Sequence, residues 1–420
     1  MNKKYNNIVY ARKRDWMQIS GLVMLLGLML MVFEVRAQEG SQGNTTIFGG
    51  AEMTFFGNHN FLAPAGGAQP GVILTERATA TISYLNFFGN GLTSTGADDA
   101  NYVDGYVRKY GTGQFIFPVG DNGNVGQFAA SADGTNGAYF HADASVAITN
   151  DLFTGANYPV LPAGGLPAFP RTSKQTSIGN IDAVEYWDIN GANATPITLT
   201  WDAGSNVAAL TSSTLSKLVI VGWDATASRW VKIPATVDVT SILGGASSLT
   251  AGSITTTASI VPDTYSIYTL AAAVPDLTPT LRITPAQIVG NNKPINVRVV
   301  VAEINGVQTS GNIFVTIPVS SHYTVNTYNS AQTTSTGLPV QNTQWAYLGI
   351  SGSNHVFRYG GTAGVTTLAA SGSSAFGFSL AYSANTQSGT ENIVVSIFDG
   401  SGGELNFLNN KDNENINFSY

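Results

Sequence analysis

The 420-residue chain has no cysteine. That absence excludes disulfides, thiolate zinc sites, iron–sulfur clusters and cysteine nucleophiles together. It also excludes a lipid anchor on an acylated cysteine. Charge is scarce as well, with Asp, Glu, Lys and Arg making up 11% of the residues. Lys3, Lys4, Arg12, Lys13, Arg14 and Arg36 are offset within residues 1–37 only by Asp15 and Glu34, a net of +4. Since the whole chain is −7, everything after residue 37 carries −11. No basic patch occurs beyond that point. Nucleic acid is therefore excluded as a partner, and so is an anionic lipid surface, because both require clustered Lys and Arg. Methionine is equally confined: five of the six precede residue 38, leaving Met53.

What is present at the start is a leader. A basic stretch runs into the apolar segment Ile19–Phe33, and Val35-Arg36-Ala37 then places Val35 and Ala37 at the −3 and −1 positions of a cleavage site. Cleavage leaves Gln38 first. The apolar run is about 15 residues where a membrane span needs about 20, and the later sequence holds no second span. The expectation is an exported protein, at the cell surface or extracellular, with the periplasm as the other destination.

Beyond the leader the chain is rich in Gly, Thr, Ser, Asn, Val and Ile, the composition of strands and tight turns. Period-two alternation recurs. Ile197, Leu199 and Trp201 share one face. Leu218–Trp223 and Trp230–Ile233 flank a polar turn and read as a hairpin. Ile295, Val297, Val299 and Val301 alternate with Asn296, Arg298, Val300 and Ala302. Phe376, Phe378, Leu380 and Tyr382 repeat the pattern, as do Ile393, Val395 and Ile397. The fold class is all-β. A region of short strands precedes β-sandwich domains, the last of immunoglobulin type.

Pro275 and Pro279 mark the best boundary. The division is a signal peptide over 1–37, a β-rich region over 38–272, an extended linker over 273–280 and an immunoglobulin-like sandwich over 281–420. Pro159, Pro162, Pro167 and Pro170 soften the middle of the second segment. It reads as one domain or as two, at about 38–150 and 171–272. Trp187-Asp188, Trp201-Asp202 and Trp223-Asp224 are irregularly spaced, which excludes a propeller repeat.

Chemistry-bearing residues are few and scattered. His59, His141, His322 and His355 contain no His-Glu-x-x-His spacing. Ser353-Asn354-His355 lacks the strand-to-helix elbow of a nucleophile and reads as a solvated loop. Glu185 and Asp188 are the nearest glycosidase-like carboxylate pair, beside Tyr186 and Trp187. At i, i+3 on a strand they point to opposite faces, so strand-end polar residues are the better reading. Asp121-Asn122-Gly123-Asn124 and the set Asp399, Glu404, Asp412 and Glu414 offer oxygen ligands for calcium. Asx-turn chemistry accounts for the same residues, and metal binding stays open. Trp187, Trp201, Trp223, Trp230 and Trp345 could build a sugar platform, but Trp201 lies on the apolar face of its strand, and Trp223 and Trp230 suit packing across a hairpin. No phosphate loop or other cofactor motif occurs.

Four stretches resemble exported, adhesin-like or uncharacterised surface proteins of the Bacteroidetes. The leader ending at Ala37-Gln38 is similar to theirs. Gly105-Tyr106-Val107-Arg108-Lys109-Tyr110-Gly111, with Phe115-Ile116-Phe117-Pro118-Val119-Gly120-Asp121, resembles a recurrent block of that group. Glu185-Tyr186-Trp187 resembles the strand that usually comes after this block in those proteins, and the segment from Pro275 to Asn410 resembles their terminal sandwich module. The resemblance implies a surface or secreted location, often through a type IX route, and carries over no catalytic residue. The expectation is a non-catalytic structural or adhesion-type protein, not an enzyme and with no cofactor. Its partners would be the secretion machinery and an extracellular glycan or matrix protein. The alternatives are a carbohydrate-binding module protein and, less favoured, a secreted glycoside hydrolase.

Overall fold

The structure is a computed structural model that describes residues 39–40, 43–61, 71–78, 81–146, 169–360 and 366–420. The leader, and Pro159, Pro162 and Pro167, lie outside the described residues. Among those described, no helix is long and apolar enough to cross a membrane.

The chain opens as three stacked coils of short strands. The first coil is β1 (Glu39–Gly40), β2 (Thr45–Ile47) and β3 (Glu52–Phe55). The second is β4 (His59–Asn60), β5 (Ile73–Thr75) and, after a hairpin of β6 (Arg77–Ala78) and β7 (Thr81–Ile82), β8 (Tyr84–Phe88). The third is β9 (Ser94–Thr95), β10 (Val103–Asp104) and β11 (Tyr106–Tyr110). Corresponding strands pair in parallel from coil to coil: β1 with β4 and β9, β2 with β5 and β10, β3 with β8 and β11. Parallel neighbours need a crossover, and here the remainder of each coil supplies it. Phe61, Ile73, Leu85, Phe87, Val103 and Val107 fill the interior and are wholly buried.

A fourth coil begins with β12 (Phe115–Phe117) and β13 (Val119–Asp121), and then the chain turns antiparallel. It continues as β14 (Asn124–Val125), β15 (Phe128–Ala130), β16 (Asn136–Phe140), β17 (Ile178–Ile181), β18 (Tyr186–Asn190) and β19 (Thr198–Trp201). β20 (Leu218–Asp224), β21 (Arg229–Ile233), β22 (Ala235–Val237), β23 (Gly252–Thr256) and β24 (Tyr268–Ala273) complete this part. The order β21-β20-β24-β18-β16-β11-β8-β3 forms one large sheet, with β17 on β24, opposite the sheet β12-β15-β19-β23-β22. One apolar core runs from Ile47 to Leu270 between the layers. The two halves left open from the sequence thus share a sheet and a core. The hairpin read at Trp223 and Trp230 is present, with the two indoles directly opposite and 5.6 Å apart edge-to-face.

The remaining strands are β25 (Leu277–Thr284), β26 (Gln287–Val289), β27 (Lys293–Glu303), β28 (Phe314–Pro318), β29 (Tyr323–Thr327), β30 (Thr334–Ser335) and β31 (Leu338–Pro339). They end with β32 (Trp345–Ser351), β33 (Asn354–Tyr359), β34 (Ser373–Tyr382), β35 (Gly389–Ile397) and β36 (Lys411–Ser419). A four-stranded sheet, β25-β27-β34-β29, packs on a six-stranded one, β26-β36-β35-β28-β33-β32. The alternating residues of β27, β34 and β35 meet in the core as their period requires. This is a sandwich, but its connections depart from the immunoglobulin type. The pair β32–β33 lies beyond β28 where a variable-type domain carries its extra hairpin, yet β29, the neighbour of β34, precedes that pair.

The extended linker expected over 273–280 is corrected. β24 ends at Ala273 and β25 begins at Leu277, so only Val274–Asp276 connects the units and the sandwich opens before residue 281. Pro279 fits inside β25 because that strand is an edge, and the missing N–H faces no partner. The junction is tied. Asn305, just after β27, donates from Nδ2 to the carbonyls of Val274 at 2.6 Å and Ser177 at 3.2 Å. It receives Lys232 Nζ on Oδ1 at 2.5 Å. Val307 packs into the cluster that holds Ile178 and Trp230.

Candidate functional site

Adjacent strands β16 and β18 put Tyr139 opposite Trp187 and Phe140 opposite Tyr186. Alternation sends the first pair into the core between the sheets and the second pair to the outer cluster. Glu185 and Asp188 obey the same rule. The Tyr139 hydroxyl donates to Glu185 Oε2 at 2.8 Å on the inner side. The Tyr106 hydroxyl and the Asn190 amide, the latter at 2.8 Å, donate to Asp188 on the outer side. The sheet therefore separates the two carboxyls. Of the two expected strand-end polar residues, Glu185 stands immediately before β18 and Asp188 in its middle, and both are buried, 3% and 2% exposed. Burial, then the neighbouring Asp182 charge, pushes the Glu185 carboxyl well up, while Ser205 and Tyr139 pull it back. Burial raises Asp188 to about 6.

A second buried group surrounds Arg77, the first residue of β6. Its guanidinium contacts Asp104, approaches Asp121 Oδ1 at 3.8 Å, and donates to the Gly120 carbonyl at 3.2 Å. Asp121 Oδ2 accepts the His141 backbone N–H at 3.0 Å. Asp121 therefore faces inward to a cation, while Asn122 and Gly123 form the tight turn of the β13–β14 hairpin. The second calcium candidate is likewise engaged. Glu404 accepts from the Leu277 N–H at 3.0 Å and from the Asn410 amide at 2.7 Å, and Asp412 accepts from the Leu281 N–H at 2.7 Å. Asp399 and Glu414 do not join them: among the described residues no three His, Asp or Glu side chains converge to hold a metal ion.

The histidines lie apart. His59 is buried, stacked on Phe55 at 4.3 Å with Phe61 at its edge. His141 meets the Tyr139 hydroxyl at 3.0 Å and His322 meets Glu391 at 3.1 Å. His355 is not in a solvated loop. It lies in β33, 3% exposed, with the Tyr347 hydroxyl at 2.8 Å, while Ser353 stays in the preceding turn. Trp187, Trp201, Trp230 and Trp345 are all buried. The Trp187 and Trp201 N–H groups are spent on the carbonyls of Gly126 and Ser248.

The exposed rings are elsewhere. On the outer face of the coils Phe88 lies opposite Tyr110, and Phe56 stands beside Phe88 just past β3. Ring centres are 5.9 Å apart for Phe56–Phe88 and 5.7 Å for Phe88–Tyr110. Phe56 is 71% and Phe88 55% exposed. Two positions back on the same face lie Thr54, Asn86 and Arg108, with Glu52 bonded to Asn86 and Arg108. The sequence did carry a signal: in the doublets Phe55-Phe56 and Phe87-Phe88, neighbours on a strand point opposite ways, so one ring of each must leave the core.

No protein-family model matches the chain, and no curated protein matches it. Among solved structures, the CARDB domain of a Pyrococcus furiosus protein is 16% identical, covering 34% of this chain and 89% of that one, with a TM-score of 0.21. Red sea bream transglutaminase is 11% identical over 59% of this chain and 30% of its own, with a TM-score of 0.20. Likenesses at these scores carry no functional argument.

Proposed function

We propose that the chain is an exported, non-catalytic surface protein of adhesion type that attaches to an extracellular glycan or matrix protein. The row Phe56, Phe88 and Tyr110 carries this reading. In a chain that turns four of its tryptophans inward, contiguous rings left to solvent on one face mark a contact surface. The leader pattern of residues 1–37 supports export, and the block from Gly105 to Asp121 supports kinship with surface proteins of the Bacteroidetes. Separation of Glu185 from Asp188 by a sheet supports a non-catalytic role. A carbohydrate-binding protein is the second reading, favoured by the same row because sugar rings stack on aromatic faces.

The test is binding of the exported chain to glycan and matrix-protein arrays, beside Phe88→Ala. Retention by either array, lost in the variant, is expected. A matrix-protein hit selects the first reading, and a glycan hit is compatible with both. Binding that ignores Phe88, or none at all, removes the row as a contact surface. Turnover of a bound glycan would overturn the non-catalytic role.

A further inference from the structure

A cleft of about 460 Å³ opens where the third coil meets the β12-β15-β19-β23-β22 sheet. Asp98, Asp99 and Asp202 line it, together with Gln127 and the apolar side chains of Ile242 and Leu243. No Lys or Arg lines it. Each aspartate is fixed through one oxygen. Asp98 Oδ1 accepts the Ala100 N–H at 2.9 Å and the Asn101 amide at 2.7 Å. Asp99 Oδ1 accepts the Val125 N–H at 2.9 Å, and Asp202 Oδ1 accepts the Gly204 N–H at 2.6 Å. The second oxygen of all three has no hydrogen-bond partner among the described residues.

Asx turns account for the first oxygens of Asp98 and Asp202, and a long-range tie to β14 for that of Asp99, and none of these bonds points to a ligand. Gln127 is different. It is 8% exposed, its backbone carbonyl is satisfied by Thr200, and its side-chain amide makes no hydrogen bond to any described residue. Its amide atoms stay open to the cleft instead, so they are available to bond a ligand directly.

We infer that this cleft binds an ammonium or guanidinium carried on an aliphatic stem. The three carboxylates do not close on one metal-sized point, which suits a cation whose charge is spread or repeated. Gln127 offers a carbonyl to the N–H groups, and Ile242 and Leu243 receive the stem. The acidic balance of the chain after residue 37 draws such a ligand in. The chemistry is met by a free amine or by the Lys or Arg side chain of a peptide. The site is distinct from the aromatic row and stands without it.

Calorimetric titration of the exported chain with agmatine, and separately with a capped Gly-Arg-Gly peptide, tests the assignment. Saturable binding of at least one is expected, weakening as NaCl rises from about 0.02 to about 0.5 M. Agmatine alone identifies a small amine, and the peptide alone identifies a protein side chain. The triple variant D98N/D99N/D202N keeps the Oδ1 acceptors and hence the turns but loses the charge, and an affinity at least tenfold lower is expected. Gln127→Leu is expected to weaken binding with an unchanged melting temperature. No binding of either probe, or equal binding by the triple variant, overturns the inference, as does equal affinity for neutral 1,6-hexanediol.

Discussion

The guanidinium of Arg77 lies 4.6 Å from the centre of the Phe140 ring, sandwiched between that ring and the carboxylates of Asp104 and Asp121. A hairpin inserted in the second coil is thereby fastened to the outer cluster of the large sheet. Arg77→Met strands two carboxylates in a buried site and is expected to cost about 3–5 kcal/mol, read by urea unfolding. R77M/D104N should be less destabilised than R77M alone. A double variant no better than the single one would show that packing, not charge, sets the loss.

Stability should fall as pH rises from the ordinary carboxylate range toward about 8. Burial raises the Asp182, Glu185 and Asp188 carboxyls above their unfolded values. The folded state therefore binds protons that the unfolded chain has released. The stabilising contribution is complete below the ordinary carboxylate range and declines as pH rises toward about 8, where Glu185 titrates. Each such group costs at most about 1.4 kcal/mol per pH unit crossed. Thermal melts at several pH values between the two limits should show the decline, and Glu185→Gln should flatten it.

Gly105 forms the corner between β10 and β11 with φ of +130°, and a Cβ there would collide with the Thr75 hydroxyl and carbonyl. The Thr75 Oγ1 accepts the Tyr106 N–H at 2.6 Å, so it has no freedom to withdraw. Gly105→Ala is expected to destabilise by about 3 kcal/mol or more. Gly123→Ala, at a turn with open space around it, should cost about 1 kcal/mol. Equal effects in denaturant titrations would refute the steric account.

Asn305→Ala removes the two bonds to Val274 and Ser177 and leaves their carbonyls to find water. A loss of about 1–3 kcal/mol is expected. Brief proteolysis should leave the parent chain intact at Val274–Asp276 and cut the variant there. Cutting of the parent at that site would mean the junction is loose.

The antiparallel strands are legible because alternation is local: Ile295 to Val301 and Phe376 to Tyr382 declare their inward faces in a few residues. The coils are not. Their in-register residues Glu52, Tyr84 and Tyr106 are 32 and then 22 positions apart, so uneven insertions such as the β6–β7 hairpin erase any period. Burial of Glu185, Asp188 and His355 is hidden for a related reason. A polar residue on a strand looks solvent-facing until Tyr139, Tyr106 or Tyr347, remote or across a hairpin, supplies the bond that makes burial tolerable. The linker is shorter than its prolines suggest, because Pro279 breaks a ladder only in a central strand. The Gln127 cleft joins residues from Asp98 to Leu243, and no short motif encodes it.

The Asn305 clasp has a mechanical consequence. A pull between the coils and the terminal sandwich does not first straighten a slack tether, because only three residues separate β24 from β25. Tension reaches the amide of Asn305, the ammonium of Lys232 and the seated Val307 at nearly the same extension. A single-molecule stretching trace should therefore rise steeply from the outset, with one rupture at the clasp before either unit yields.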